Sequence, residues 1–220
     1  MNRKNLRSLA AGVALLLAVG ALAGCGGEKK ADDSKKMVTV GIAQLVEHGA
    51  LDAANKGFVA GMASKGFKEN ENVKYDRQNA QADQSNLQNI AQRFVSNKVD
   101  LICAIATPTA QTMANATKDI PIVATAVTDY EVAKLAASNN EPKGNVTGTS
   151  DMNPIDQQLE LLLKIAPQTK NIGTVYSSSE VNSQLQVDVL KKLAGDKGIN
   201  VIEATVSTVN DIQRLSLIHI

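Results

Sequence analysis

From Met37 onward the chain alternates short apolar runs with segments whose apolar residues recur every three or four positions. Met37 to Ala43 is a β-rich run that ends in the polar Gln44. Residues 50–66 carry Leu51, Ala54, Phe58 and Met62 on one helical stripe and stop at Lys65 and Gly66, a cation followed by a helix-ending glycine. Val73 to Gln78 predicts a second strand. Residues 83–97 predict an amphipathic helix, capped by Asp83 or Ser85, with Leu87, Ile90, Ala91, Phe94 and Val95 on one face. Val99 to Ala106 is almost wholly apolar, the composition of a strand covered on both faces. A helix over 109–118, a strand from Ile120 to Val127 and a weaker helix around 131–137 follow.

Ser138 to Asn145 (SNNEPKGN) is a polar break bearing Pro and Gly, a candidate domain boundary or hinge. Beyond it the alternation restarts, with strands at Val146 to Ser150, Asn171 to Tyr176 and Ile199 to Thr205 and helices over 155–165 and 181–195. Val209 to Asp211 reads as the start of another helix. Such alternation predicts an α/β fold built on a doubly wound parallel sheet. Ligands of that architecture sit at the carboxyl ends of the strands, where loops enter the helices.

The N-terminus has a different pattern. Asn2 to Arg7 is basic, and Leu9 to Ala23 is an unbroken apolar and small-residue run of fifteen residues. A helix that spans a bilayer takes about twenty, so residues 1–24 read as a secretory signal. Leu22, Ala23, Gly24 and Cys25 resemble a bacterial lipoprotein box, in which cleavage before Cys25 leaves its thiol to carry lipid; an ordinary signal with an incidental cysteine is the alternative. Gly26 to Lys36 (GGEKKADDSKK) has nothing to bury and reads as a flexible tether reaching about 36 Å when extended. The expected product is extracytoplasmic and anchored to a bacterial membrane only through lipid on Cys25.

Composition narrows the class. Residues 1–24 hold Arg3, Lys4 and Arg7 and no acid, so of 23 basic and 22 acidic residues the remainder keeps 20 and 22, a net charge of −2. A nearly neutral surface without Lys/Arg clusters argues against nucleic acid as partner. With Cys25 lipidated, Cys103 has no intramolecular disulfide partner, and its apolar setting from Val99 to Ile105 makes it a small core residue rather than a reactive thiol. Tryptophan is absent and aromatics are 3%, so Ala, Val, Ile and Leu must build the core.

Chemistry is therefore sought in the strand-exit loops: Gln44 to Ala50 (QLVEHGA), Thr107 to Gln111 (TPTAQ), Thr125 to Tyr130 (TAVTDY), Ser150 to Pro154 (SDMNP) and Ser177 to Ser183 (SSSEVNS). Hydroxyls and free backbone N–H groups at a helix start suit a carboxylate, and Asp129, Asp151 and Glu180 suit an ammonium. Together they fit a small zwitterion or polar molecule. Each segment alone is equally served by helix capping; recurrence along one sheet edge carries the ligand reading. No catalytic constellation is nominated: His48 has no sequence-local triad partner, Glu47 and His48 lack metal-ligand spacing, and phosphate-cradling glycine motifs are missing. No metal or cofactor is expected.

At Gln44 to His48 (QLVEH), Ala104 to Thr109 (AIATPT), Thr125 to Asp129 (TAVTD), Asn145 to Pro154 (NVTGTSDMNP) and Tyr176 to Glu180 (YSSSE), the chain resembles the ABC transporter substrate-binding lipoproteins of the tryptophan/tyrosine-binding type, over about residues 1–214. The resemblance implies a type I periplasmic-binding-protein fold, two α/β lobes closing on a ligand. It also implies capture of a small solute, often an aromatic amino acid, and delivery to a permease powered by a separate ATPase. Carried over by motif, His48 and Ala50 line the first-lobe wall, while Thr107, Thr109 and Gln111 offer donors to a carboxylate. Thr128 and Asp129 lie deeper by the hinge, Ser150 and Asp151 sit at the crossing, and Ser178, Glu180 and Asn182 reach in from the second lobe. Tyr130 and Tyr176 could serve as stacking faces, with packing the favoured role for each. The first lobe is expected over 37–145 and a partial second lobe over 146–214. Two full lobes need about 250–300 residues, and Leu215 to Ile220 (LSLIHI) fits neither the family pattern nor a helix terminus. The expectation is a truncated reading frame with a foreign tail at 215–220, which aggregates or binds poorly. The ligand-sensing domain of a membrane receptor, built on the same fold, is the alternative function; a secreted α/β hydrolase is disfavoured by the missing nucleophile motif.

Overall fold

The computed structural model describes residues 37–142, 144–207, 211, 212 and 215; the signal segment, Cys25, the tether and tail residues 216–220 lie outside them. In chain order the elements are β1 (Val38–Gln44), α1 (Gly49–Ser64), β2 (Val73–Asn79), α2 (Gln84–Ser96), β3 (Leu101–Ile105), α3 (Thr107–Ala116), β4 (Ile122–Val127), β5 (Val146–Ser150), α4 (Ile155–Ile165), β6 (Asn171–Ser177), α5 (Val181–Gly195) and β7 (Asn200–Val206). Five strands form one sheet in the order β2-β1-β3-β4-β5, and β6 pairs with β7 in a second sheet; every pairing is parallel.

Side-chain alternation along the strands sorts the first core into two layers. Val40, Ile42, Val73, Tyr75, Cys103 and Ile105 face α1, which lays Leu51, Ala54, Phe58 and Met62 over them. Ala43, Ile102, Ala104, Ile122 and Ala124 face α2 and α3, whose Leu87, Ile90, Phe94, Ala110 and Met113 complete the larger layer. Gly41 lies on that second face, and the Phe94 ring occupies the space a side chain there would need: an added Cβ would sit 2.7 Å from it. The caps follow the sequence. Asp83 accepts from the Asn86 amide at 2.8 Å to start α2. At the end of α1, Gly66 takes φ +91 while Phe67 and Gly66 donate back to Met62 and Ala63.

Two expectations change. The weaker helix around 131–137 is a series of turns, because Lys134 takes φ 58 and both Leu135 and Ala136 donate to the Tyr130 carbonyl. The strand at 146–150, read from the sequence as the opening of the second lobe, pairs with β4 in the first sheet, and Val146 is buried in the first core. The crossover from β4 to β5 is thus an irregular strap. Gln111 donates to the Ala133 carbonyl, Tyr130 OH donates within the pair of carbonyls Ala124 and Thr149, and Asn139 contacts Tyr130 N and Asp129. A separate, smaller core of Leu159, Ala194 and Ile199, with Leu163, Ile172, Leu190, Leu193 and Val201, ties α4 and α5 to β6 and β7.

Candidate ligand-binding site

In the order β2-β1-β3-β4-β5 the winding direction reverses between β1 and β3. The helices that follow these two neighbours cover opposite faces, α1 on one and α3 on the other, so the loops leaving β1 and β3 diverge at the point where this architecture opens its ligand crevice. The register aligns Gln44 with Ile105, Ile105 with Thr125, and Val127 with Ser150. Four of the predicted loops therefore share one edge. His48 and Ala50 stand on the β1 side of the crevice, and Thr107 and Thr109 on the β3 side.

The β1 wall is built by a cap. His48 is extended (φ −158) at the start of α1, and its Nδ1 accepts from the Ala50 amide at 3.3 Å. With Nδ1 accepting, a neutral ring carries its proton on Nε2 and presents a donor from an exposed position.

The β3 wall is more unusual. Ala106 holds φ 89 and ψ 152, a region that glycine favours and that costs an L-residue about 1–3 kcal/mol. This conformation turns the chain from β3 into α3 with no intervening loop. Ala106 has no side chain to cap with, Pro108 has no N–H, and the amides of Thr107 and Thr109 lie in the first turn, where no intrahelical acceptor exists. Thr107 is 2% and Thr109 0% exposed. Neither hydroxyl has a hydrogen-bond partner. Buried hydroxyls are almost always paired, so two orphaned hydroxyls at an uncapped helix start are an unusual feature of this edge.

Other predicted residues are engaged by the fold. The Gln111 carboxamide is used on Ala133. Asp129 accepts from the Val132 amide and from Asn139 Nδ2, both at 2.8 Å, so its carboxylate organises the strap. Thr128 is buried and its carbonyl accepts from Ser150 Oγ at 2.7 Å. That hydroxyl also accepts from the Met152 amide. Asp151 donates its amide to Val127 and keeps its side chain exposed. Tyr130 is a core residue whose buried hydroxyl is pushed up to about 12 by burial. Cys103 is fully buried and burial pushes its thiol to about 12 as well, which makes it inert.

Ser178, Glu180 and Asn182 lie at the carboxyl edge of the second sheet, where Ser177 aligns with Val206. Glu180 precedes α5 without capping it; its Oε2 accepts from Asn182 Nδ2 at 3.4 Å. Asn182 Oδ1 is buried without a partner. Tyr176 is tied to Gln184 and Glu203 within its own lobe. The chain passes from the first sheet into α4 through Asp151 to Pro154, and there Asn153 Nδ2 donates to Gln186 Oε1 at 3.1 Å while Gln186 Nε2 donates to the Asn182 carbonyl. The crossing that leaves the first sheet's carboxyl edge thus contacts the helix that starts at the second sheet's carboxyl edge.

Sequence reasoning missed Gln44 as more than a strand end, the backbone of Ala106, and Gly148. An added Cβ at Gly148 would overlap the Ala124 carbonyl and the Tyr130 hydroxyl. None of these has a local motif. A cavity of about 570 Å³ between α2 and α3, lined by Gln84, Gln88, Gln92 and Thr112 among others, lies away from the crevice. Among the described residues no group of three or more His, Cys, Asp or Glu could hold a metal, and no helix is long and apolar enough to cross a membrane.

Residues 39–217 match the model of the ABC transporter substrate binding protein family. The chain belongs to this family. It is 47% identical over 221 aligned positions to a tyrosine-binding protein of Clostridioides difficile (strain R20291), an alignment covering 97% of this chain and 63% of that relative. A Streptococcus pneumonia ABC domain solved in complex with L-Trp is 40% identical, with TM-score 0.80 over 83% of this chain and 62% of its own. A ligand-free, open substrate-binding protein with adhesive properties from Clostridium difficile is 49% identical, with TM-score 0.62 over the same shares of the two chains. The fold is that of type I periplasmic binding proteins, and the chain spans about three fifths of the length of these relatives.

Proposed function

We propose that the protein is the extracytoplasmic solute-binding component of an ABC importer, anchored through lipid on Cys25, which captures an amino acid, aromatic by preference, between two lobes and hands it unchanged to a permease served by a separate ATPase. The observation that carries this reading is the coincidence of orphaned polar atoms with the site. Of four buried side-chain polar atoms without partners among the described residues, three belong to Thr107, Thr109 and Asn182. The α3 start, with its free amides and hydroxyls, takes the carboxylate. The exposed Asp151 carboxylate at the crossing and Glu180 across it take the ammonium, with His48 Nε2 and Ser178 completing the rim. Ala50 contributes wall, Ser150 and Thr128 fix the crossing by their mutual hydrogen bond, and Asp129 and Gln111 act through the strap they hold. The first lobe then runs from residue 37 through Ser150, with Asp151 to Pro154 as a hinge strand and the second lobe beyond.

Two relatives support the ligand class by what their names say they bind, tyrosine and L-Trp. This chain also superposes better on the L-Trp complex than on the open relative to which it is closer in sequence. A thermal-shift screen of the twenty amino acids and common sugars tests the proposal. L-Trp and L-Tyr are expected to raise the midpoint, sugars to leave it unchanged, and Thr107→Val to diminish the shift while keeping the ligand-free midpoint. A shift confined to sugars, or an undiminished shift in Thr107→Val, would contradict it.

A further inference from the structure

The weakest-held element at the crevice is α1. None of its side chains is fully buried, and Gly57 and Gly61 interrupt its middle, where glycine weakens a helix relative to alanine. Apolar packing alone therefore fixes it loosely, yet it carries His48 and Ala50 at its start. Just beneath, at the last position of β1, Gln44 is only 4% exposed. Its carboxamide makes three hydrogen bonds. Nε2 donates to the Val46 carbonyl at 2.9 Å and to Asp52 Oδ1 at 2.6 Å, while Oε1 accepts from Asn55 Nδ2 at 3.2 Å.

These three bonds reach the loop leaving β1, the first turn of α1 and its second turn. The bond to Asp52 is charge-assisted and short, the strongest kind available to an amide. We infer that Gln44 is a positioning residue: its buried carboxamide clamps the β1–α1 loop and the first two turns of α1 to the sheet, and so sets the direction in which His48 faces the ligand. The inference rests on the ligand-binding reading of this edge, but the clamp itself is a separate physical claim. Leucine at this position would keep the volume and lose all three bonds, leaving Asp52 and Asn55 without their buried partner.

The test combines hydrogen exchange with binding of L-Trp and L-Tyr to the full chain. In Gln44→Leu, amide exchange over 45–56 is expected to rise, and affinity for the better probe to fall, each on the order of tenfold; exchange in β3 and α3 stays unchanged. Asn55→Ala, which removes one bond of three, gives a smaller change in the same sense and keeps the test open if Gln44→Leu folds poorly. Phe94→Leu, a cavity in the opposite core layer, serves as control: it lowers the thermal midpoint without altering either readout. The double variant Gln44→Glu/Asp52→Asn, which reverses the polarity of the shortest bond, is expected to recover part of the protection that Gln44→Glu alone loses. Unchanged exchange over 45–56 in both Gln44→Leu and Asn55→Ala overturns the clamp, whatever the ligand. Raised exchange with unaltered affinity overturns the positioning role. If the unmodified chain binds neither probe, the proposed function fails, and the exchange result alone still decides for or against the clamp.

Discussion

Tyr130 shows how one side chain can replace a missing helix. Parallel strands are usually joined through a helix that packs on the sheet, but the strap between β4 and β5 has none among its described residues. Instead the Tyr130 hydroxyl reaches the carbonyls of Ala124 at 2.9 Å and Thr149 at 3.2 Å, across the two strands it would otherwise leave loosely joined. Gly148 makes this approach feasible, since any side chain there would occupy the space of the hydroxyl. Gly148→Ala is expected to destabilise the protein by about 3 kcal/mol through overpacking and a broken hydrogen bond. Tyr130→Phe, which keeps the ring, is expected to lose only about 1 kcal/mol. Urea unfolding of both variants checks the ordering, and a Gly148→Ala protein as stable as the parent would remove the strap's anchor from the account.

At the scale of elements, a charged pair joins β2 to α2. Burial pushes the Asp76 carboxyl up, but hydrogen bonds from Arg93 Nε at 2.7 Å and Gln78 Nε2 at 2.6 Å outweigh it and hold the carboxyl below its ordinary value. A carboxylate lowered in the folded state contributes stability above the unfolded value of about 3.9, and that contribution disappears as pH falls through the lower folded value. The urea midpoint of the parent should therefore exceed that of Arg93→Gln at neutral pH, and the gap should close on acidification below the usual carboxylate range. A gap independent of pH would show that Asp76 is not what Arg93 stabilises.

The same scale shows what a sequence can and cannot reveal. The Leu87, Ile90, Ala91 and Phe94 stripe and the Asp83 cap are local patterns, and α2 appears within a residue or two of its predicted ends. The segment around 131–137 has helix-like spacing too, but its conformation is decided by distant partners: Gln111, Asn139 and the turn at Lys134. Val146 to Ser150 reads correctly as a strand, whereas the sheet it joins depends on pairing with β4, which no local pattern encodes. At the site, the hydroxyls of Thr107 and Thr109 were visible as residue types. Their isolation from any partner, the strained Ala106 before them and the three bonds of the Gln44 carboxamide are properties of three-dimensional contact alone.

For the whole molecule, two cores joined at Asp151 to Pro154 place a helix start with unanswered donors on the five-stranded sheet, and Asn182 with an unanswered acceptor on the two-stranded one. If binding begins on the first lobe and is tightened by the second, the first contacts with the ligand are made at the start of α3. The protein has no tryptophan, so emission excited selectively in indole reports only added L-Trp. Titrating the chain into L-Trp should shift that emission to the blue and saturate, with L-Tyr competing and Thr107→Val weakening the effect about tenfold. An emission spectrum that stays that of free L-Trp at the highest attainable protein concentration, or one equally shifted by Thr107→Val, would contradict the claim that the start of α3 holds the ligand.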